Sequence, residues 1–395
     1  MAIFKLKNRI QNYAWGSKTS MADLFGFDNV DDQPQAELWM GAHPNGCSEL
    51  EPLGELLSDY ISKNAHEVLG RHTAQRYGQL PFLFKVLAAH TPLSIQVHPN
   101  KANSERGFEL ETKKGVELDA SNRNYKDPNH KPELVYAITK YKAMNGFRPI
   151  RHIISLFDEV ALPSLEFELE ALKTEPSKDG LKRFFTTLMV LSGAEKLAIL
   201  NEFKEVFERS NMSVMLQQAI GYSQSFVEYY SDDIGILAPL ILNIVELEPG
   251  EAMFLHAETP HAYVKGTALE IMASSDNVLR AGLTPKHIDV DELVSNTSFE
   301  SIPLEQLKLT PISAEGRLRF PVPVDDFAFD VLNVGNPVRE LHTRSAEILF
   351  CIEGEVKICS GDVNLSMKAG ESVFIPCSIS SYWLTGEGKI ARAYN

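Results

Sequence analysis

The feature that most constrains the fold of this chain is a pattern that occurs twice, in two regions far apart. The stretch LEPGEAMFLHAETPHAY (247–263) aligns with MKAGESVFIPCSISSYW (367–383) and shares a Gly-Glu pair followed by Phe and an aliphatic residue. On this alignment His261 lies opposite Ser381. A Gly-Glu turn that leads into a short alternating strand is typical of antiparallel β-barrels. We therefore expect two related β-regions, of which the first keeps a polar interior.

A shorter match links the same two regions. Residues 96–98, Gln-Val-His, resemble residues 340–342, Glu-Leu-His. A histidine-bearing strand, followed later by a Gly-Glu turn and a strand that begins at histidine, is typical of small jelly-roll barrels of the cupin kind. We predict a mainly β fold with an inserted α-helical subdomain, in which two cupin-type jelly-roll barrels form the β part.

Hydrophobic periodicity gives the domain boundaries. Between the two β-regions the spacing becomes helical, and Leu197, Leu200, Phe203 and Phe207 form one stripe, which we interpret as core packing. We predict a first barrel in two parts, a helical subdomain between them and a metal-free C-terminal barrel, with the boundaries 1–148, 149–238, 239–306 and 307–395.

The stretch SIQVHPN (94–100) raises the question of what its polar face contacts. Two-residue alternation puts Ser94, Gln96 and His98 on one side of a strand and apolar residues on the other. Because unpaired burial of such groups is costly, this face needs hydrogen-bond partners or a metal ion.

Two further stretches carry metal-binding side chains at turn-to-strand junctions. HKPE provides Glu133, and PHAY provides His261. With Gln96 and His98 they offer two imidazoles, a carboxylate and an amide oxygen, a set suited to zinc or another divalent first-row metal.

Spacing alone leaves alternatives open. Each of these side chains could instead be a solvated or hydrogen-bonded group, and His256 and His130 are also available as ligands.

Cations accompany these stretches although the formal net charge is −15. Lys85, Lys131, Arg280 and Lys286 all lie near them in sequence. Such cations indicate a bound anion, and phosphate is favoured because Arg and Lys recognise it well. The alternative is that they pair with nearby acidic residues.

Composition excludes several classes of function. The negative charge argues against nucleic acid or an anionic membrane as a partner. The four cysteines show no zinc-site spacing and are expected to be reduced. The N-terminus shows no signal-peptide pattern and the chain shows no apolar run long enough for a membrane span, so we expect a cytoplasmic protein.

Longer motifs resemble those of the type I mannose-6-phosphate isomerases, zinc enzymes built from cupin barrels with an inserted helical domain. The resemblance runs through the whole chain, in the order NYAWGS, ELWMGAHP, SIQVHPN, DPNHKPELVYAI, FLHAETPHAY and ASSDNVLRAGLTPKHID. It implies one zinc ion per chain, with the family's ligands on Gln96, His98, Glu133 and His261. It also implies an active-site pocket that includes Trp15, Lys85, His130, Lys131, Tyr263, Asp276 and Arg280.

The implied reaction interconverts mannose 6-phosphate and fructose 6-phosphate by moving a proton between C1 and C2 through an enediolate. Lys131 and His130 are candidates for proton transfer and ring opening, with Asp276 as a rival base, and we expect Lys131 to participate in proton transfer. Arg280 would hold the phosphate or stabilise the enediolate, while Trp15, Lys85 and Tyr263 would bind substrate.

Two other functions remain open: an iron-dependent oxygenase and a non-catalytic sugar-binding module. We expect a monomer whose partner is a small phosphorylated hexose. Whether the enzyme serves mannose catabolism or the supply of activated mannose is not encoded in these motifs.

Overall fold

The computed structural model describes residues 2–335 and 339–395. The predicted mainly β fold with an inserted helical region is confirmed. In the described part of the chain, no helix is long and apolar enough to cross a membrane.

The strands, in chain order, are β1 (Phe4–Lys7), β2 (Arg9–Gln11), β3 (Glu37–Met40), β4 (Glu49–Glu51), β5 (Glu55–Leu56), β6 (Phe82–Ala89), β7 (Gln96–Val97), β8 (Glu133–Ala137), β9 (Tyr141–Phe147), β10 (Leu242–Leu247), β11 (Ala252–Leu255), β12 (His261–Ala273), β13 (Leu279–Arg280), β14 (Ile312–Ala314), β15 (Arg317–Phe320), β16 (Ala328–Val334), β17 (Arg339–His342), β18 (Glu347–Ser360), β19 (Val363–Lys368), β20 (Ser372–Ile375) and β21 (Ser381–Tyr394).

The α-helices are α1 (Ser20–Phe25), α2 (Leu57–Lys63), α3 (Ala65–Leu69), α4 (Arg71–Tyr77), α5 (Lys101–Lys113), α6 (Ile150–Val160), α7 (Glu166–Thr174), α8 (Lys178–Val190), α9 (Gly193–Glu205), α10 (Val214–Val227), α11 (Ala238–Ile241) and α12 (Val290–Ser295). Short 3₁₀ turns occupy Pro163–Leu165, Val206–Glu208, Ile234–Leu237 and Leu304–Gln306.

The helices α6–α11 form the inserted region and share one apolar core with side chains of β7, β9, β12 and β13. Ser177 caps α8 by accepting a hydrogen bond from the third residue beyond it, as Ser commonly does at helix starts. In the stripe predicted on α9, Leu200 and Phe203 are buried and Phe207 packs at the core's edge. Leu197, however, is 44% exposed, so its assignment to the core was wrong: it lies on the solvent side of that stripe.

The long strand β12 organises the sheet that contains the candidate site. This sheet runs β10-β9-β12-β6-β3-β2, with β7, β8, β11 and β13 paired beside that path. The first part of β12 pairs with β9, and the part after Gly266 pairs with β6 and β8. Gly266 has φ 119°, and a Cβ there would lie 2.5 Å from the carbonyl oxygen of Lys140. Only glycine fits at the point where β12 changes its partner strands. His261, at the start of β12, pairs with Gln96 on β7.

The second sheet includes strands from both ends of the chain. Its order is β14-β15-β16-β21-β18-β20-β1-β4-β5, with β17 on β21 and β19 on β18. Phe4 on β1 pairs with Phe374 on β20, and its side chain is buried in the core between the sheets. The prediction had placed all of 1–148 in the first barrel, whereas this N-terminal strand lies in the C-terminal sheet. The four predicted domain boundaries stay predictions.

The strand pairings of the described residues follow open paths, so neither sheet is a closed barrel by its hydrogen bonds. The sequence repeat nevertheless matches the elements: β11 and β20, and then β12 and β21, begin at aligned positions. The shorter match is shifted, because Ser381 pairs with His342 whereas His261 pairs with Gln96. His342 is therefore the counterpart of Gln96 rather than of His98.

Aromatic side chains from both sheets form one shared core. The ring of Phe84 on β6 lies 6.1 Å from Phe329 on β16 and 6.4 Å from Phe350 on β18. Tyr136 on β8 contacts Phe329 at 5.6 Å. Each such ring contributes about 1.5–3 kcal/mol when it is fully buried, so the two sheets stabilise one another.

The second sheet buries a charged cluster next to this core. Glu347 is fully buried and accepts hydrogen bonds from Tyr382 (2.8 Å) and from Arg392 Nε (2.8 Å). Asp330, also fully buried, pairs with Arg317 at 2.6 Å. Glu347 lies opposite the last residue of β20, as Glu133 lies opposite the last residue of β11. The negative charge of Glu347 is thus balanced by Arg392.

Candidate active site

Three of the predicted metal ligands meet at one point in the first sheet. His98 follows β7, Glu133 begins β8 and His261 begins β12; all three are buried, and their ligand atoms lie within 4.8 Å of one another. His98 Nε2 is 3.3 Å from Glu133 Oε1, and His261 Nε2 is 3.5 Å from Glu133 Oε2.

Backbone carbonyls orient the two imidazoles. His98 Nδ1 lies 2.8 Å from the carbonyl oxygen of Asn277, and His261 Nδ1 lies 2.9 Å from that of Thr259. Since a carbonyl only accepts, each Nδ1 carries the hydrogen and each Nε2 presents a lone pair. His98 Nε2 is buried and has no hydrogen-bond partner among the described residues. Two lone pairs facing a carboxylate fit a divalent cation between them, and this donor set suits zinc.

The pKa values of His98 and Glu133 keep these two side chains in the forms that can bind a metal ion. Burial, with Lys131 adding to it, lowers the pKa of His98 to about 4, so its ring is neutral near pH 7. Burial alone would raise the pKa of Glu133, but His98 and Lys131 outweigh it and hold that pKa well below its usual range.

Gln96, the fourth predicted ligand, lies beside this group. Its backbone pairs with His261, and its side-chain amide donates to Ser94 Oγ at 3.3 Å. It also borders the small inner cavity next to Glu133 and His261. Its role as a ligand stays a prediction.

A chain of hydrogen bonds behind the metal ligands was only partly predicted. The Tyr263 hydroxyl lies 2.9 Å from Glu133 Oε2 and 2.8 Å from Glu270 Oε1, and Lys85 Nζ lies 2.9 Å from Glu270 Oε2. A phenol has one hydrogen to donate, so Tyr263 donates to one of the two carboxyls at a time. Burial raises the pKa of Glu270, with Lys85 opposing it.

Tyr263, predicted to bind substrate, thus lies behind the predicted metal ligands, whereas Lys85, predicted to do the same, also lines the large cavity in front of them. Both are buried and border the inner cavity. Glu37, 3.9 Å from Lys85, and Glu270 were missed by the prediction. The available signal was a lone acidic residue in an apolar strand, as in the stretch TALEIMA that contains Glu270.

A cavity of about 1230 Å³ opens in front of the metal ligands. Arg280, Lys126 and Lys286 line it, and none of them takes part in an ion pair within the described residues. Burial lowers the pKa of Arg280. Burial, together with the charge of Arg280, lowers the pKa of Lys286. Cations without carboxylate partners in an open cavity are suited to bind an anion. Lys126 was not predicted.

Asp276 projects into the same cavity from the loop before β13. His43 Nε2 lies 3.3 Å from its Oδ1, and Asn45 Nδ2 donates to its Oδ2 at 3.2 Å. Burial opposes ionisation, but His43 and nearby lysines prevail and lower the pKa of Asp276. The carboxylate is therefore charged and held in a fixed orientation by His43, which the prediction did not single out.

Of the remaining predicted residues, some line the cavity and others lie away from the candidate metal site. Trp15 lines the cavity and stacks on Tyr13, with ring centroids 5.8 Å apart. Lys131 lines both cavities, and its Nζ lies 3.4 Å from Glu133 Oε1. His130 is not brought to the cluster, because its Nε2 lies 3.0 Å from Asp326. His256 is exposed and packs on Phe254.

Comparisons with known proteins cover the whole chain. Residues 3–150 match the family model "Phosphomannose isomerase type I, catalytic domain", and residues 317–395 match "Mannose-6-phosphate isomerase, cupin domain". The mannose-6-phosphate isomerase of Escherichia coli (strain K12) is 48% identical over 396 residues, 99% of each chain. The Homo sapiens enzyme is 36% identical over 90% of this chain and 88% of its own.

Solved structures that superpose on this chain carry the same enzyme names as these relatives. A crystal structure of an alanine variant of phosphomannose isomerase from Salmonella typhimurium superposes with a TM-score of 0.95, at 48% identity and full coverage of both chains. A zinc-bound mannose 6-phosphate isomerase superposes with a TM-score of 0.94, also at 48% identity and full coverage.

Proposed function

The chain belongs to the type I phosphomannose isomerase family, and from that membership we propose that it interconverts mannose 6-phosphate and fructose 6-phosphate through an enediolate. Proton transfer between C1 and C2 must overcome the low acidity of a C–H bond next to a carbonyl. Family membership selects this isomerase over the iron oxygenase and the sugar-binding module.

Zinc is the cofactor, as in the zinc-bound relative. His98, Glu133 and His261 would hold it, with Gln96 as the fourth ligand and one ion per chain. When bound, zinc supplies a positive charge that polarises a substrate oxygen without redox chemistry. Tyr263 and Glu270 support the site by fixing the Glu133 carboxylate from behind.

The unpaired cations of the cavity bind the charged parts of the substrate. Lys286 and Lys126 bind the phosphate by charge-assisted hydrogen bonds. Arg280 lies next to Gln96 in strand register, so it is closer to the metal ligands and stabilises the negative charge that develops on the enediolate. Trp15 provides an apolar wall beside the sugar.

Proton transfer is assigned to Lys131, with Asp276 as the alternative base. Lys131 Nζ lies beside Glu133, is 12% exposed and borders both cavities, so it can reach a sugar carbon held in front of the metal ligands. Asp276 is ionised and oriented by His43. General acid-base help of this kind contributes roughly 10²- to 10⁴-fold.

The observation that carries the proposal is that His98, Glu133 and His261 converge beside a cavity whose cations Arg280, Lys126 and Lys286 have no carboxylate partner among the described residues. The test is a coupled assay of fructose 6-phosphate formation on protein stripped with a chelator and titrated with zinc. Activity should disappear and return near one equivalent of zinc. Absence of turnover at any metal loading, with circular dichroism showing folded protein, would contradict the proposal.

We also infer that both sheets are cupin-type jelly rolls, supported by the matched starts of β11 with β20 and of β12 with β21. The expectations of a cytoplasmic monomer that binds neither nucleic acid nor membrane stay predictions.

A further inference from the structure

We propose that Asp326, in the segment 321–327 that connects β15 to β16, is a positioning residue that holds the catalytic loop in place through His130. The loop meant here is 124–132, which leads into β8 and carries Lys131. This inference rests on the proposed function, because its consequence is measured as isomerase turnover.

The contact is specific and largely shielded from solvent. His130 Nε2 lies 3.0 Å from Asp326 Oδ2, and the two side chains are 23% and 15% exposed. His130 does not line either cavity at the candidate site. Its side chain is thus directed to the C-terminal region, whereas Lys131, the next residue, is directed to Glu133.

Asp326 itself has a fixed position. The following residue, Phe327, is 1% exposed in the core between the two sheets, and its ring lies 6.5 Å from Phe254 on β11. The preceding residue, Asp325, pairs with Arg76 of α4 at 2.9 Å. Both side chains of that pair are largely exposed, so the connecting segment is held mainly by Phe327.

The other side of the catalytic loop is already fixed. Asn277 Nδ2 donates to the carbonyl oxygens of Asp127 and Asn129, and Ser275 Oγ donates to the carbonyl of Asn129. Beyond Lys131, the carbonyl of Pro132 accepts from the backbone of β12. Between these two anchors, His130 provides the side-chain contact that fixes the rotation of the loop, and with it the direction in which Lys131 leaves the backbone.

The C-terminal region thereby contributes a group that acts on catalysis without touching substrate. Removal of the Asp326 carboxylate should leave the metal ligands and the phosphate cations intact but widen the range of positions of Lys131 Nζ. A small displacement of a catalytic group lowers kcat more than it affects ground-state binding.

The experiment compares kcat and KM for mannose 6-phosphate in wild type, Asp326→Ala, His130→Ala, the double variant and Asp325→Ala. The last is a matched control, because it removes the adjacent carboxylate, whose partner is the exposed Arg76. Thermal midpoints and zinc content are measured for each variant. Should Asp326→Ala fail to fold, Asp326→Asn, which keeps the side-chain volume, replaces it.

We expect kcat to fall about 10-fold in Asp326→Ala, with KM within about twofold of wild type and zinc content unchanged. Asp325→Ala should match wild type. The double variant should be no slower than the slower single variant, because both changes remove one contact.

Three results would overturn the inference: wild-type kcat in Asp326→Ala, additive losses in the double variant, or a loss explained by missing zinc. Turnover of the wild type decides the proposed function separately, since the inference concerns only the ratios between variants.

Discussion

His98 Nε2 lies 3.3 Å from Glu133 Oε1, although the hydrogen of that imidazole is on the opposite nitrogen. Two electron-rich atoms face each other in a buried site, so the folded protein is incomplete without a cation there. The first prediction follows from this pair.

Chelation should lower the thermal midpoint of the protein, and zinc should restore it. Ligand that binds only the folded state stabilises it by mass action, and zinc at one hundred times Kd adds about 2.7 kcal/mol to the free energy of unfolding. Differential scanning fluorimetry measures the shift. His98→Ala, which lacks one donor, should not respond to zinc; a zinc response equal to that of wild type would count against the assigned ligands.

Tyr263→Phe should weaken zinc binding about 10- to 100-fold, because it removes the donor that orients Glu133. Competition with a zinc-sensitive dye measures the affinity. Tyr141→Phe is the matched control: the Tyr141 ring lies 5.8 Å from Tyr263, and its buried hydroxyl has no hydrogen-bond partner in the part of the chain that the structure describes. Equal losses in the two variants would mean that ring packing, rather than the hydrogen bond, maintains the site.

Lys286→Met should raise KM for mannose 6-phosphate about 10- to 100-fold with little change in kcat, because a hydrogen bond to a charged group contributes about 1.5–3 kcal/mol. Inorganic phosphate should also inhibit this variant less than wild type. Lys114→Met, which removes an exposed cation outside the cavity, is the control. Unchanged KM and phosphate inhibition in Lys286→Met would remove Lys286 from the phosphate site.

Alkaline pH should destabilise the interface between the sheets through Tyr136. Burial, followed by Glu353, raises the pKa of Tyr136 from 10.0 to about 12. Because the folded pKa is the higher one, the stabilisation is fully present below pH 10 and is lost as pH rises through 12, by up to about 3 kcal/mol.

Urea unfolding of wild type and Tyr136→Phe between pH 9 and pH 12 measures this contribution, since the variant lacks the ionisable group. Tyr229→Phe, at a position that is 47% exposed, should follow wild type. A parallel decline of all three proteins would show that Tyr136 is not responsible.

The sequence predicted three members of the candidate metal site because each lies in a short motif at a turn-to-strand junction. His98, Glu133 and His261 were found from alternation and donor chemistry, and the structure brings them together. The inserted helices were likewise found from their spacing, although Leu197 lies outside the core. A local sequence pattern can predict such ligands and helices, because burial and metal-ligand geometry restrict which residue types occur at neighbouring positions.

Groups that act through distant partners were not predicted. Glu270 contacts Lys85 from a strand 185 positions later, and Asp326 contacts His130 across 196 positions. Nothing in the neighbourhood of either residue encodes such a pairing. The joining of β1 to β20 was missed for the same reason, because register between the two ends of a chain depends on the finished core.

The buried pair of Glu347 and Arg392 makes the charge balance of the second sheet independent of a bound ion. In the second sheet the countercharge is an arginine of the polypeptide itself. In the first sheet the corresponding carboxylate, Glu133, has Lys131 at 3.4 Å, but the two imidazoles beside it present lone pairs, so a bound cation completes the site. The charge balance of the first sheet therefore depends on the supply of metal, whereas that of the second sheet does not.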